Sequence, residues 1–134
     1  MSRFTTHCCR SGLCLVALLV LGAAPAQAAW LGYGNDTRIV VVVQGSSTMN
    51  GRVRLGQPHQ IRPRESAWDQ VTAGAKTITV FDPAQRNRII WQGQVNVGEK
   101  DQFFSIQAEM GADRQVRFKL VPVPVPAAMM PRRK

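Results

Sequence analysis

Lys76–Val97 reads KTITVFDPAQRNRIIWQGQVNV, two extended runs separated by a turn. In Lys76–Phe81, Ile78 and Val80 face one way and Thr77 and Thr79 the other, the period of two of a half-buried strand. Asp82–Asn87 (DPAQRN) is turn chemistry: proline presets φ, and the flanking polar side chains bond locally. Arg88–Val97 (RIIWQGQVNV) reads as a long strand with Gly93 expected as a bulge. This order of strand, turn and strand sets the class, and Gly98–Asp101 after it reads as a hairpin turn.

The same grammar extends in both directions. Thr37–Gln44 (TRIVVVVQ) is β-branched and unbroken, as in a strand buried on both faces, so its parity stays open. Short extended pieces follow at Arg52–Leu55, His59–Arg62 and Trp68–Val71, divided by Gly and Pro. Gln102–Gln107 and Gln115–Val121 complete the set, and Val116, Phe118 and Leu120 point inward. Seven or eight short strands at this spacing, with no helical segments between them, predict an all-β fold: a single antiparallel β-sandwich. The expected core takes Val41, Val43, Ile78 and Val80 from one half, and Ile90, Val95, Phe104, Ile106, Phe118 and Leu120 from the other. The layout resembles small exported immunoglobulin-like sandwiches. That resemblance is one of fold class and implies no activity.

The first 28 residues read as an export leader. Arg3 and Arg10 precede the apolar run Leu13–Ala24, and Ala26-Gln27-Ala28 forms a small-residue cleavage site. The run is too short to span a bilayer, which needs ~20 apolar residues. Three segments follow from this: a cleaved signal peptide over 1–28, a β-sandwich over 29–125, and a disordered basic tail over 126–134. The tail is expected because VPVPVP cannot continue as a central strand and little apolar bulk follows it. The expected location is the periplasm or the exterior, with no transmembrane segment in the processed chain.

All three cysteines, Cys8, Cys9 and Cys14, lie in the leader. The processed chain then has no disulfide, thiolate nucleophile or Cys-based metal site. A blue-copper centre is excluded, because it needs Cys and two His, and His59 is the one histidine after the leader. His59 with Met49 or Met110 is the weaker Cu(I) alternative. No cofactor is expected. The acids stand singly, mostly in predicted turns, without a calcium-loop spacing.

The formal charge is +9, and Arg132, Arg133 and Lys134 concentrate part of it at the C-terminus. Basic residues recur at i, i+2 as Arg52/Arg54, Arg62/Arg64, Arg86/Arg88 and Arg117/Lys119, so each strand pair shares a face. Candidate ligand-binding residues are Arg52, Arg54, Arg117 and Lys119, joined by Trp30 and Tyr33 of the glycine-spaced AWLGYGN segment. The expected function is a non-catalytic binding or interaction module, its partner a protein or an anionic envelope component rather than nucleic acid. One alternative is a binder of anionic polymers or lipids through an Arg-rich sheet face and the basic tail. Another is a small hydrolase using Glu65, Asp69 and His59, which clustering of those three around a cleft would favour. Asn35-Asp36-Thr37 matches a glycosylation sequon.

Overall fold

The computed structural model describes residues 28–131. Nine strands form two packed, mostly antiparallel sheets, the layering of a β-sandwich. The first sheet joins β5 (Ser66–Thr72), β1 (Ala28–Asn35), β8 (Gln102–Met110) and β9 (Val116–Val123) in that order. The second runs β3 (Arg52–Leu55), β2 (Val41–Met49), β6 (Gly74–Asp82) and β7 (Arg88–Val97), with β4 (His59–Ile61) also paired to β2. One pair, β1 with β8, is parallel, so the sandwich is not wholly antiparallel.

The β6–β7 hairpin forms as its sequence dictates. Asp82 Oδ1 accepts from the Ala84 N–H at 2.9 Å and caps a single 3₁₀ turn over Pro83–Gln85. Arg86 and Asn87 then take positive φ of 54° and 57° to reverse the chain. The bulge lies elsewhere than expected. Val80 pairs with Trp91 and Phe81 with Ile89, so Ile90 is the extra residue, while Gly93 sits in regular register against Ile78. Gly93 serves another purpose: a Cβ there would lie 2.7 Å from the Trp91 ring, which folds back over it on the same face.

The expected core residues Val41, Val43, Ile78, Val80, Phe104 and Ile106 are buried, with Ile78 and Val80 sharing the inward face of β6 as predicted, while in β8 Phe103 and Ser105 on the other face are buried as well. Ile90, Val95 and Leu120 are half-buried against them. β1 changes the picture most. Ala29, Leu31 and Tyr33 alternate into the core, and the strand lies between β5 and β8 in the interior of the first sheet. On its other face, Gly32 and Gly34 leave room for rings. A Cβ on Gly32 would meet Phe103 at 2.5 Å and Trp68 at 2.7 Å. Trp68 and Phe103 pack there with centroids 5.2 Å apart. Trp68 therefore covers the outer face of the first sheet.

Asn35 ends β1 and ties the sandwich together. Its Nδ2 donates to the Ile39 and Ile61 carbonyls at 2.8 and 2.9 Å. Its Oδ1 accepts from the Thr37 N–H at 3.0 Å and from the Thr37 hydroxyl at 2.6 Å. Both Asn35 and Thr37 are buried, so the sequon is closed to a glycan in the folded chain.

β9 is an edge strand, which is why it tolerates Pro122 opposite Phe104. Beyond it, residues 126–131, expected as the start of a free tail, include a 3₁₀ turn at Ala127–Met129. The Ser66 hydroxyl donates to Met129 Sδ at 3.7 Å, on the opposite edge of the sheet. Three strand spacings, ~14 Å, separate those edges. Six extended residues from Val123 reach that far. Arg132–Lys134 lie outside the described residues, as does the expected leader apart from Ala28. Among the described residues, no helix is long and apolar enough to cross a membrane.

Candidate functional site

The site begins with an interruption in the edge of the second sheet. β3 pairs with Ser46–Met49 of β2, and β4 pairs with Val41–Val43. Between them Gly56-Gln57-Pro58 leaves the ladder, because glycine followed by proline breaks a strand. The detour is pinned by the Gly56 N–H donating to the Gly45 carbonyl at 2.7 Å and Gln44 Nε2 donating to the Gly56 carbonyl at 2.9 Å. Where the edge opens, β3 of the second sheet and β5 of the first enclose a cleft of about 420 Å³.

Its floor is apolar, made by Leu31 and Tyr33 of β1 and Ile78 of β6. Its rim is polar and charged: Arg54 from β3, Lys76 from β6, and Asp69 and Gln70 from β5. Gly45 faces the interior without a side chain; a Cβ there would be 3.7 Å from the Tyr33 hydroxyl and 3.6 Å from Ile78. Arg54 and Lys76 form no ion pair among the described residues. The Lys76 ammonium donates to the Thr72 hydroxyl at 3.3 Å.

Two features distinguish this cleft. First, the Tyr33 hydroxyl is buried and has no hydrogen-bond partner. Burial pushes its phenol well above the ordinary value of 10.0, and the Asp69 carboxylate adds to that shift, so the group is a neutral donor over the physiological range. Trp68 Nε1 and Gln102 Oε1 are also unpartnered, but neither residue lines this cleft. Second, His59 Nε2 and Asp69 Oδ1 lie 2.5 Å apart. A carboxylate only accepts, so Nε2–H donates, and the bond joins β4 to β5 across the two sheets.

The remaining sequence candidates fall elsewhere. Glu65 accepts from the Arg62 N–H at 3.2 Å in its own turn, so only His59 and Asp69 of the three proposed hydrolytic residues meet, and of these Asp69 lines the cleft. Arg52 shares a strand face with Arg54, but Arg117 and Lys119 belong to β9, in the other sheet and at its far edge. The two pairs therefore do not make one stripe. Arg117 is bonded to Asp113 at 3.1 Å and Lys119 to Glu109 at 2.5 Å. Trp30 and Tyr33, three residues apart on one strand, face opposite sides of the sheet. Trp30 is half-buried on the outer face and Tyr33 is in the core, so they share no aromatic platform. Met49 and Met110 are both exposed, on different sheets.

Sequence reasoning missed Gly45 and Lys76, and placed Tyr33 in a terminal segment rather than a cleft floor. The available signal was the alternation Ala29, Leu31, Tyr33, with Gly32 and Gly34 on the opposite face, together with Gly45 just after the apolar run. A second opening of about 500 Å³, near Ile39, Met110 and Val116, holds no unpartnered buried polar atom. No protein-family model matches the chain, and no curated protein matches it significantly.

Proposed function

We propose that this chain is an exported, non-catalytic binding module of the immunoglobulin-like sandwich class, and that its ligand enters between the sheets at the β3–β5 edge. The carrying observation is the Tyr33 hydroxyl, a buried donor without a partner on the floor of an open cleft. A buried hydroxyl left unbonded costs roughly 1–3 kcal/mol. A bound acceptor would remove that cost. The cleft volume lies in the usual small-molecule range of roughly 300–1,000 Å³. The charged leader and A-x-A site support export.

The hydrolase reading has the His59–Asp69 contact in its favour. Against it, no Ser or Thr hydroxyl is hydrogen-bonded to His59 among the described residues, and Ser66 points to Met129 instead. Binding to an anionic polymer by one Arg-rich face is weakened by the separation of β3 from β9.

The test is a ligand panel on protein purified from an exporting host, followed by thermal shift and calorimetry. Hits lost on Gly45→Val place the ligand in the cleft. Hits indifferent to that substitution count against it. N-terminal sequencing of the exported protein should begin AWLGYG.

A further inference from the structure

The chemistry of the cleft selects a class of ligand. Apolar side chains line its floor: Leu31, Ile78 and the Tyr33 ring below, with Val71 and Leu55 on the walls. Leu31, Ile78 and Tyr33 are themselves about 1% exposed or less, so the apolar surface open to a ligand is that of Leu55 and Val71, and covering it favours an apolar body. Two cations, Arg54 and Lys76, stand on its rim outside any ion pair among the described residues. The rim carboxylate, Asp69, already accepts from His59. With two cations against one carboxylate the rim is net positive, suited to an anion, and the Arg fork matches carboxylate or phosphate oxygens. At depth, the neutral Tyr33 hydroxyl is a donor in want of an acceptor. Among the described residues Tyr33 is the one aromatic lining the cleft, which gives a bare sugar ring no exposed stacking platform.

We propose that the inter-sheet cleft binds an amphiphilic anion, its apolar body against Leu55 and Val71 above the Leu31 and Ile78 floor, and its carboxylate or phosphate head at Arg54 and Lys76. An acceptor oxygen on the body, such as an ester carbonyl, satisfies Tyr33 in the natural ligand. This proposal rests on the cleft being the binding site, as argued above.

The experiment uses single-chain probes held below their micellar concentrations: decanoate, decyl phosphate, decyl maltoside and decyltrimethylammonium, titrated calorimetrically. Decanoate and decyl phosphate separate the two head-group chemistries. Both anions are expected to bind about tenfold or more tightly than the neutral and cationic probes, the size of one charge-assisted hydrogen bond. In the double variant Arg54→Gln/Lys76→Gln that preference collapses. Both side chains sit at an open rim, so the variant keeps its fold. Gly45→Val places methyl groups in the floor and removes binding of every probe. Gly45→Ala, whose Cβ makes only ordinary contacts of 3.6 Å and longer, serves if valine disturbs the strand. Equal binding of all four head groups, abolished by Gly45→Val, overturns the anion class and leaves the cleft as the site. Binding that survives Gly45→Val overturns both claims. Absence of binding by either anion overturns the proposal.

Discussion

Asn35 and Tyr33 sit two residues apart on β1, both about 1% exposed, and they solve the same problem in opposite ways. Asn35 spends all its hydrogen-bonding capacity on the protein, joining β1 to the β1–β2 loop and to β4. Tyr33 bonds to nothing. A buried polar group is normally satisfied, because leaving one bare costs free energy without compensation. The difference between them separates a residue that holds the fold from one that is left available. One end of β1 is a structural knot, and the middle is the floor of an opening.

The comparison predicts unequal costs of substitution. Asn35→Ala should destabilise the fold by about 3 kcal/mol, since the Ile61 carbonyl and the Thr37 N–H lose their Asn35 partner and the Ile39 carbonyl keeps only the Thr37 hydroxyl. Urea unfolding measures this. A loss under about 1 kcal/mol would remove Asn35 from its role as the knot. Gly32→Ala should follow, at about 2 kcal/mol, because its methyl would displace the Trp68 and Phe103 rings. Near-neutral behaviour would mean that the outer aromatic pair is loosely packed. Asp69→Asn should cost about 1 kcal/mol by weakening the bond to His59 across the sheets. It should also make the Tyr33 phenol easier to ionise, since Asp69 contributes to holding it neutral.

Most of the fold was legible and most of the site was not, for a shared reason. Alternation fixes which side of a strand faces the core, so KTITVF, RIIWQGQVNV and QFFSIQ revealed their elements directly. It does not fix sheet neighbours. Arg52/Arg54 and Arg117/Lys119 look alike as sequence, yet they lie at separate edges, one pair by an open cleft and the other bonded to acids. AWLGYGN was obscured because glycine is a poor strand residue, although here the glycines admit Trp68 and Phe103. The His59–Asp69 meeting depends on β4 and β5 facing each other across two sheets, which no local pattern encodes.

Alkaline titration sharpens the contrast further. Tyr33 is the single tyrosine, so phenolate absorbance reports it alone. A raised folded-state value leaves stability untouched below pH 10, the ordinary phenol value, and lowers it as pH rises beyond that, because the unfolded chain ionises first. The native phenol should therefore stay un-ionised at pH 10 and ionise together with unfolding. Titration at the ordinary value in the intact fold would show that the hydroxyl is solvated.

Tyr33→Phe is the decisive substitution, because it removes one oxygen from the floor and little else. If that oxygen is held for a ligand, the free protein keeps its stability or gains up to about 1 kcal/mol as an unpartnered polar atom disappears. Hits from the ligand panel that carry an acceptor oxygen should then bind several-fold more weakly. Stability and binding thus move in opposite directions. A clear loss of stability in the free protein, or unchanged affinity for every cleft-bound hit, would contradict the account.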